Sequence, residues 1–223
     1  QRISWHGVDI REESLVEFAI EEILKAHGRI DGLVNNAGGQ FPSSIEKISL
    51  KGWEAVVRTN LTGGFLVSRA VFTRWMKAHG GAIVNMLADF WSGMPTMAHS
   101  GAARAGMLNF TETAACEWAS YGVRVNAVAP GMVASSGLDT YDEKTRTGFE
   151  RIRQAIPLQR FATVAEVSAA IVYLLSPAAA FITGSCIRID GGMPNARHTW
   201  PARELKHEAA AVAPFSPAAV EGD

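Results

Sequence analysis

Apolar residues occur along this chain in two patterns. Short runs of consecutive apolar residues predict buried strands, and longer stretches with an apolar residue every three or four positions predict helices. Strands are predicted at residues 3–8, 32–36, 82–87, 124–129 and 186–190. Helices are predicted at residues 12–27, 50–79, 100–121 and 164–175. Because strands alternate with helices, we expect an α/β fold, a doubly wound parallel sheet with helices on both faces.

Two local signals refine these elements. Thr163 is followed three residues later by Glu166, a capping box that predicts the start of a helix. Gly63 and Gly64 interrupt the long helix at 50–79, although glycine costs a helix interior about 1 kcal/mol relative to alanine. We therefore expect a close packing contact at this glycine pair.

The composition fits one domain. The chain has 223 residues, of which 48% are hydrophobic and 19% are charged, and this is enough for one sizeable core. We expect the domain to span residues 1–193. Residues 194–223 are rich in Ala and Pro and show no helical or strand periodicity, so we expect a tail or an interface arm there.

The charge balance excludes two classes of partner. With 21 basic and 22 acidic residues the formal net charge is -1, so neither nucleic acid nor a membrane surface is an expected partner. No apolar run approaches the roughly 18 residues that span a bilayer. Cys116 and Cys186 lie in segments predicted to be buried and form no Cys-x-x-Cys pair. We expect reduced thiols and a soluble cytoplasmic protein.

The glycine-rich turn of a nucleotide-binding fold is missing from the sequence. A doubly wound nucleotide-binding sheet opens with a strand, a Gly-rich turn and a helix. The chain has no Gly-x-x-x-Gly-x-Gly or Gly-x-Gly-x-x-Gly run. We therefore expect that it begins about one βαβ unit late, which makes the predicted fold N-terminally truncated.

Several runs of residues, in this order, resemble the short-chain dehydrogenase/reductase family. They are His99-Ser100-Gly101-Ala102-Ala103-Arg104-Ala105-Gly106, Glu117-Trp118, and Arg124-Val125-Asn126-Ala127-Val128-Ala129-Pro130-Gly131. The resemblance covers residues 8–192. Within the family, residues 38–41, 99–106 and 200–201 look most like peroxisomal-type trans-2-enoyl-CoA reductases and their bacterial relatives, some of which are similar to citronellol or citronellal dehydrogenases.

This resemblance implies a Rossmann-like fold, a nicotinamide cofactor and a homotetramer or another homo-oligomer. NADP is the expected cofactor, NAD is the alternative, and no metal is expected. The residues implied to bind the cofactor are Asp9 and Ile10 near the adenine, Asn36, Ala37 and Gly38 beside the adenosine, Arg104 at the ribose, Pro130, Gly131 and Val133 at the carboxamide, and Ser135 or Ser136 at the pyrophosphate.

Two catalytic groups of the family are replaced. Ser100 stands where the family's Tyr-x-x-x-Lys motif has its tyrosine, and Arg104 stands where the motif has its lysine. The places of the usual catalytic serine hold Leu87 and Ala88. Arg104 keeps a permanent positive charge, so it can bind ribose hydroxyls but cannot relay protons as lysine can.

Four residues remain as candidate catalytic residues: Asn60, Asp89, Ser100 and Arg104. Asn60 matches the helix asparagine that holds a structural water in the family. Asp89 stands where a dienoyl-thioester reductase branch has a tyrosine proton donor, and a carboxyl group can act there only if desolvation raises its pKa. His99 is about 140° from Arg104 around a regular helix, so it cannot simply replace the tyrosine.

The resemblance leads to a hypothesis about function. We expect an NADP-dependent oxidoreductase that reduces the C=C bond of a trans-2-enoyl-CoA or a similar enoyl thioester, because conjugate reduction spreads negative charge into the thioester and tolerates the loss of tyrosine. The expected partner is an acyl-CoA-type small molecule. Two alternatives stay open, an alcohol or aldehyde dehydrogenase acting on a terpenoid such as citronellol or citronellal, and a catalytically inert member that binds cofactor or serves assembly.

Overall fold

The central sheet has four parallel strands. The computed structural model describes residues 3–135, 143–195, 205–207 and 211. The strands lie in the order β1 (Gly32–Asn35), β2 (Gly81–Met86), β3 (Val123–Pro130) and β6 (Cys186–Ile189). A separate parallel ladder joins two short strands, β4 (Val133–Ala134) and β5 (Ala162–Thr163). The doubly wound, Rossmann-like sheet expected from the sequence is confirmed.

Helices cover both faces of this sheet. Their bounds are α1 (Glu13–His27), α2 (Leu50–Val57), α3 (Gly64–Val71), α4 (Lys77–His79), α5 (Ala98–Trp118), α6 (Glu143–Ala155) and α7 (Val164–Leu175). Two π-helical segments, Arg58–Gly63 and Phe72–Met76, join α2, α3 and α4 into one continuous helical stretch. The predicted helix at 50–79 is therefore present, with a local widening before each junction.

The alternation along the strands divides the core between the two faces. Ile83 and Val125 pack with α1, α3 and α5. Val84 and Val128 point the other way and pack with Leu174 of α7. All four of these strand side chains are fully buried. Both faces of β2 and β3 are thus covered, as is typical of parallel strands.

The Gly63–Gly64 pair makes the close contacts that its position predicts. A Cβ at Gly63 would lie 2.6 Å from Ile10 Cδ1, and a Cβ at Gly64 would lie 2.5 Å from Met107 Cε. The predicted start of α7 is also confirmed, because Thr163 and Glu166 form a capping box with reciprocal side-chain bonds.

The side-chain amides of a half-buried and a buried asparagine join the ends of the first two strands. Asn35 Nδ2 donates to Asn85 Oδ1 at 2.7 Å and to Ser68 Oγ at 2.8 Å. Asn85 Nδ2 donates in turn to Thr111 Oγ1 of α5 at 2.9 Å. Because an unpaired buried polar group costs about 1–3 kcal/mol, this connected set fixes β1, β2, α3 and α5 relative to one another.

Three expectations need correction or fall outside the described residues. The strand predicted at 3–8 is wrong: no strand lies beside it among the residues described, and Ile3 and Trp5 are exposed, so its backbone has no ladder to join. Cys116 is exposed rather than buried, because Ala114 and Ala115 form the inward face of that turn of α5. Most of the predicted tail at 194–223 lies outside the described residues.

None of the helices that the structure describes is long and apolar enough to cross a lipid bilayer.

Candidate functional site

A cleft opens at the carboxyl ends of the strands, where parallel α/β sheets bind ligands. Its volume is about 390 Å³. Four residues implied to bind a cofactor line it, namely Asn36 after β1, Pro130 at the end of β3, and Val133 and Ser135 beyond it. The remaining lining residues are Met86, Val164, Val167, Ser168 and Ile171. Ser136, the alternative to Ser135, lies outside the described residues.

Residues 38–41 run from the end of β1 along the first turns of α5, and we call them the 38–41 strip. Gly38 lies where a Cβ would be 2.6 Å from Arg104 Nη2 and 2.9 Å from Asn60 Oδ1, so a side chain has no room there. Asn60 is buried, and its side-chain amide makes two hydrogen bonds to Gly39. Asn60 Oδ1 accepts from Gly39 N and Asn60 Nδ2 donates to Gly39 O, each at 2.9 Å.

Ser100 and Arg104 lie on one side of α5, where Ser100 contacts the 38–41 strip and Arg104 contacts the end of β2. Ser100 is fully buried, and its hydroxyl donates to Gln40 Oε1 at 2.6 Å. Arg104 Nη1 donates to Met86 O, at the end of β2, at 2.5 Å. Arg104 Nε is buried and has no hydrogen-bond partner in the part of the chain that the structure describes. Burial lowers the pKa of the Arg104 guanidinium from its ordinary value.

His99 makes its contacts with Ser100 and Phe41. Its Nδ1 accepts a hydrogen bond from Ser100 N at 2.8 Å. Its ring packs edge to face against Phe41, with ring centroids 4.5 Å apart and an interplanar angle of 76°. The ring is fully buried, and Nε2 has no hydrogen-bond partner among the described residues. His99 thus lies under the end of the 38–41 strip.

A second group of polar residues lies where β2 and β6 end. Asp89 follows β2, and its backbone N–H donates to Pro130 O at 3.0 Å. Burial raises the pKa of the Asp89 carboxyl, the negative charge of Asp190 raises it further, and the charge of Arg188 lowers it. Arg188 Nε lies 3.7 Å from Asp190 Oδ2, and its guanidinium carbon lies 5.5 Å from the centre of the Trp91 ring.

The remaining predicted site residues are not among those that line the cleft. Asp9 accepts bonds from Arg11 Nε at 2.8 Å and Arg11 Nη2 at 2.6 Å, which lowers the pKa of its carboxyl to about 2. Ile10 packs against Gly63, and Ala37 is exposed just before the 38–41 strip. Gly131 N donates to Ile189 O at 3.0 Å. The described residues contain no cluster of three His, Cys, Asp or Glu side chains that could hold a metal ion.

Comparison with known proteins identifies the family. A family model described as enoyl-(acyl carrier protein) reductase matches residues 2–194. The chain belongs to the short-chain dehydrogenase/reductase family. As a member of this family it is an oxidoreductase, as its sequence motifs suggest.

Individual members of the short-chain dehydrogenase/reductase family differ in their named substrates. A probable 2,4-dienoyl-CoA reductase (2E-enoyl-CoA-producing) of Bacillus subtilis (strain 168) is 39% identical over 194 residues, covering 86% of this chain and 76% of that protein. The structure of the citronellol catabolism dehydrogenase AtuB of Pseudomonas aeruginosa PAO1 is 55% identical, with a TM-score of 0.76 over 86% of this chain and 73% of that chain. A gluconate 5-dehydrogenase of Burkholderia cenocepacia J2315, in complex with NADP and tartrate, is 31% identical, with a TM-score of 0.78 over 85% of this chain and 74% of that chain.

Sequence reasoning missed two polar residues in this family member. Gln40 is absent from the predicted site, although a polar residue directly after a glycine pair at a strand end is a signal that could have found it. Asp190 is predicted only as part of the last strand, but its carboxylate lies close enough to shift the pKa of Asp89. No local signal pairs Asp89 with Asp190, because β2 and β6 become neighbours of β3 only in the folded sheet.

Proposed function

We propose that this protein is an NADPH-dependent reductase that adds hydride to the β carbon, and a proton to the α carbon, of an α,β-unsaturated thioester such as a trans-2-enoyl-CoA. One observation carries the proposal. The position of the family's tyrosine holds Ser100, which is fully buried and donates its hydroxyl to Gln40. A reaction that needs no phenolic acid at that position therefore suits this chain best.

Residues at the carboxyl ends of the strands support the cofactor that the family implies. Arg104 is a half-buried cation whose Nε–H lacks an acceptor among the described residues, and its guanidinium would bind the ribose hydroxyls. Asn36, Ala37 and Gly38 would flank the adenosine side, and Asp9 and Ile10 would approach the adenine. The residues proposed for the carboxamide end are Pro130, Gly131 and Val133. A bound nicotinamide cofactor supplies the hydride.

Two polar residues can stabilise the negative charge that develops during conjugate reduction. Hydride addition to the β carbon produces an enolate whose charge lies largely on the thioester oxygen. Gln40 is exposed, and Ser100 binds its carbonyl oxygen, which leaves the amide N–H groups directed to other partners. These N–H groups would donate to the thioester oxygen. Asn60 supports them indirectly, because it fixes the neighbouring Gly39.

Asp89 is the proposed proton donor. A carboxyl group serves as an acid near neutral pH only when its pKa lies well above the ordinary value. The pKa of Asp89 is raised because the carboxyl is partly buried and lies near a second carboxylate. Its Oδ1 has no hydrogen-bond partner among the described residues, so a proton on this oxygen would not be held by a hydrogen bond to one of them. The protonated carboxyl would donate to the α carbon directly or through water.

Apolar side chains follow Asp89 and suit an acyl substituent. Phe90 and Trp91 stack with their ring centres 4.4 Å apart, and Met94 packs near Gly101 of α5. Met97 ends this segment. Aromatic and methionine side chains adapt well to alkyl chains. The thioester substrate is also supported by the family description and by the name of the Bacillus relative, and NADP by the Burkholderia dehydrogenase, whose structure contains it.

A spectrophotometric assay tests the proposal. Purified full-length protein is mixed with NADPH and a medium-chain trans-2-enoyl-CoA, and in parallel with the corresponding 2,4-dienoyl-CoA. We expect loss of the reduced-cofactor absorbance, and a saturated acyl-CoA product from the enoyl substrate in mass spectrometry. NADH in place of NADPH measures the cofactor preference. Unchanged absorbance with both thioesters would rule the proposed function out.

A second candidate function is a terpenoid alcohol or aldehyde dehydrogenase, supported by the 55% identity to the citronellol catabolism dehydrogenase of Pseudomonas aeruginosa. The loss of both the tyrosine and the serine of the family motif opposes this function. Citronellol with NAD or NADP, assayed beside the enoyl thioester, separates the two. Binding of the cofactor without turnover of either substrate would favour the catalytically inert alternative.

A further inference from the structure

We propose that His99 is a positioning residue of this enzyme. It holds in place Gln40, the proposed donor to the thioester oxygen, and the neighbouring Phe41. The proposal rests on the proposed thioester reductase function. His99 is fully buried, carries a ring nitrogen without a hydrogen-bond partner among the described residues, and has no role in the mechanism above. Its ring instead contacts Phe41 directly and is connected to Gln40 through Ser100.

His99 caps the first turn of α5. The N-cap residue Met97 offers no side-chain hydrogen bond to this helix. The first N–H groups of a helix lack intrahelical acceptors, and His99 Nδ1 accepts the one on Ser100 at 2.8 Å. This bond requires a lone pair on Nδ1, so the neutral ring carries its proton on Nε2. The ring therefore has one tautomer and one orientation.

The same bond orients Ser100, and Ser100 orients Gln40. The Ser100 hydroxyl donates to Gln40 Oε1 at 2.6 Å, so the Gln40 amide is connected to His99 through a single intermediate residue. A shift of the first turn of α5 would move the Ser100 hydroxyl and with it the Gln40 N–H groups.

Phe41 is held between His99 and α2. On one side its ring meets the His99 ring at a centroid distance of 4.5 Å. On the other side its Cζ lies 2.9 Å from the place where a Cβ at Gly52 would stand. A further bond, from Ser43 N to Thr96 O at 2.8 Å, ties the chain beyond Phe41 to the residues just before α5. Removing the imidazole would leave a space on the His99 side of the Phe41 ring, so that only the contact with α2 would still hold the ring.

The 38–41 strip thus has two halves with separate supports. Asn60 and Arg104 contact Gly38 and Gly39, beside the proposed cofactor site. The second half, Gln40 and Phe41, depends on His99 and Ser100. Loss of His99 should therefore weaken the reaction of the thioester while leaving the binding of NADPH intact.

The test compares His99→Leu and His99→Asn in the full-length protein. Leucine fills the space but offers no acceptor, whereas asparagine retains an acceptor oxygen near the position of Nδ1 and can still cap the helix. We expect His99→Leu to lower kcat/KM for the enoyl-CoA about 10-fold or more, with the Kd for NADPH changed by less than about twofold. We expect His99→Asn to recover part of the loss. His79→Leu, at an exposed position on α4, is the matched control and should leave both quantities unchanged.

The outcomes distinguish this proposal from the proposed function. If the wild type reduces the thioester and His99→Leu does so equally well, the positioning role is wrong and the reductase function stands. Equal losses of NADPH affinity and thioester turnover would show a merely structural residue and also overturn it. Should His99→Leu fail to fold, the kcat/KM of His99→Asn and of Phe41→Leu decides instead. A wild-type protein that neither reduces the enoyl-CoA nor binds the saturated acyl-CoA in calorimetry overturns both proposals.

Discussion

The two sides of the site carry spare hydrogen-bonding groups of opposite kind. On the side formed by α5 and the 38–41 strip the spare groups are donors, and Arg104 Nε and His99 Nε2 lack acceptors in the described residues. Where β2 and β6 end, the spare groups are carboxylate oxygens, Asp89 Oδ1 and Asp190 Oδ2, although Arg188 lies within 3.7 Å of the latter. The α5 side, which we call the donor side, suits oxygen atoms of a ligand. The side where β2 and β6 end, which we call the acid side, suits proton transfer.

The family's tyrosine is absent, and the two sides of the site differ in what they could contribute to the reaction. In the α5 region most polar groups are bonded within the chain, so that region holds atoms in place. In the Asp89 region the positive charge of Arg188 only partly compensates the carboxyl groups of Asp89 and Asp190. An incompletely paired buried polar group lowers the stability of the fold, so it is usually explained by a ligand or a reaction. Under the proposed function, substrate positioning and proton transfer therefore belong to separate elements.

The largest expected effect comes from the acid side. Asp89→Asn should lower kcat for the enoyl-CoA by about 10²- to 10⁴-fold, the usual contribution of a general acid. The wild-type rate should fall as pH rises through the pKa of Asp89, because only the protonated carboxyl donates, and this pKa is raised by burial and by Asp190. The variant should lack that limb in a pH–rate profile. Asp31→Asn, at an exposed carboxylate, is the control, and an Asp89→Asn enzyme with wild-type kcat would contradict the division of roles.

The next largest effect concerns the donor side. Gly38→Ala places a Cβ 2.6 Å from Arg104 Nη2 and should weaken NADPH binding about 10-fold or more, since overpacking of a tight site costs about 1–3 kcal/mol. Gly39→Ala is the matched control, because a Cβ there meets nothing within 4 Å. Fluorescence titration of NADPH measures both. Equal affinities of the two variants would show that the contact of Gly38 with Arg104 does not shape the cofactor site.

A smaller effect is expected on stability. Asn60→Ala removes two hydrogen bonds to Gly39 and should lower the free energy of unfolding by about 1–3 kcal/mol. Asn109→Ala, at an exposed position of α5, should change it by less than about 0.5 kcal/mol. Urea denaturation followed by circular dichroism gives both values. If Asn109→Ala lowered the free energy of unfolding as much as Asn60→Ala does, the anchoring of the 38–41 strip by Asn60 would be contradicted.

The smallest effect compares two carboxyl groups with opposite pKa shifts. Asp9, bonded to Arg11, has a pKa of about 2, whereas the pKa of Asp89 lies above its ordinary value. The folded-state pKa of Asp9 is lowered, so its small contribution to stability is present above the unfolded value of 3.8 and is lost as pH falls towards 2. NMR titration of the carboxyl carbons measures both groups. A pKa for Asp89 below that of Asp9 would reverse the comparison.

Sequence alone determined most elements of this fold. The helix at 164–175 begins at its predicted capping box, and the Gly63–Gly64 pair lies in the expected close contacts. Each end of strands β1, β2, β3 and β6 lies within one residue of its predicted position. These features follow from local periodicity, capping and glycine stereochemistry, which neighbouring residues along the chain specify. The family resemblance predicts a cofactor site at the ends of β1 and β3.

The tertiary structure decided which polar groups meet and which stay unpaired. The segment 3–8 has the composition of a strand but is not one, because a strand needs a neighbour to supply its hydrogen bonds. Ser100 donates to Gln40, 60 residues away, and the pKa of Asp89 depends on Asp190 near the other end of the chain. Hydrogen bonding and electrostatic coupling depend on distance in space and on burial, and only packing of the sheet and helices sets these.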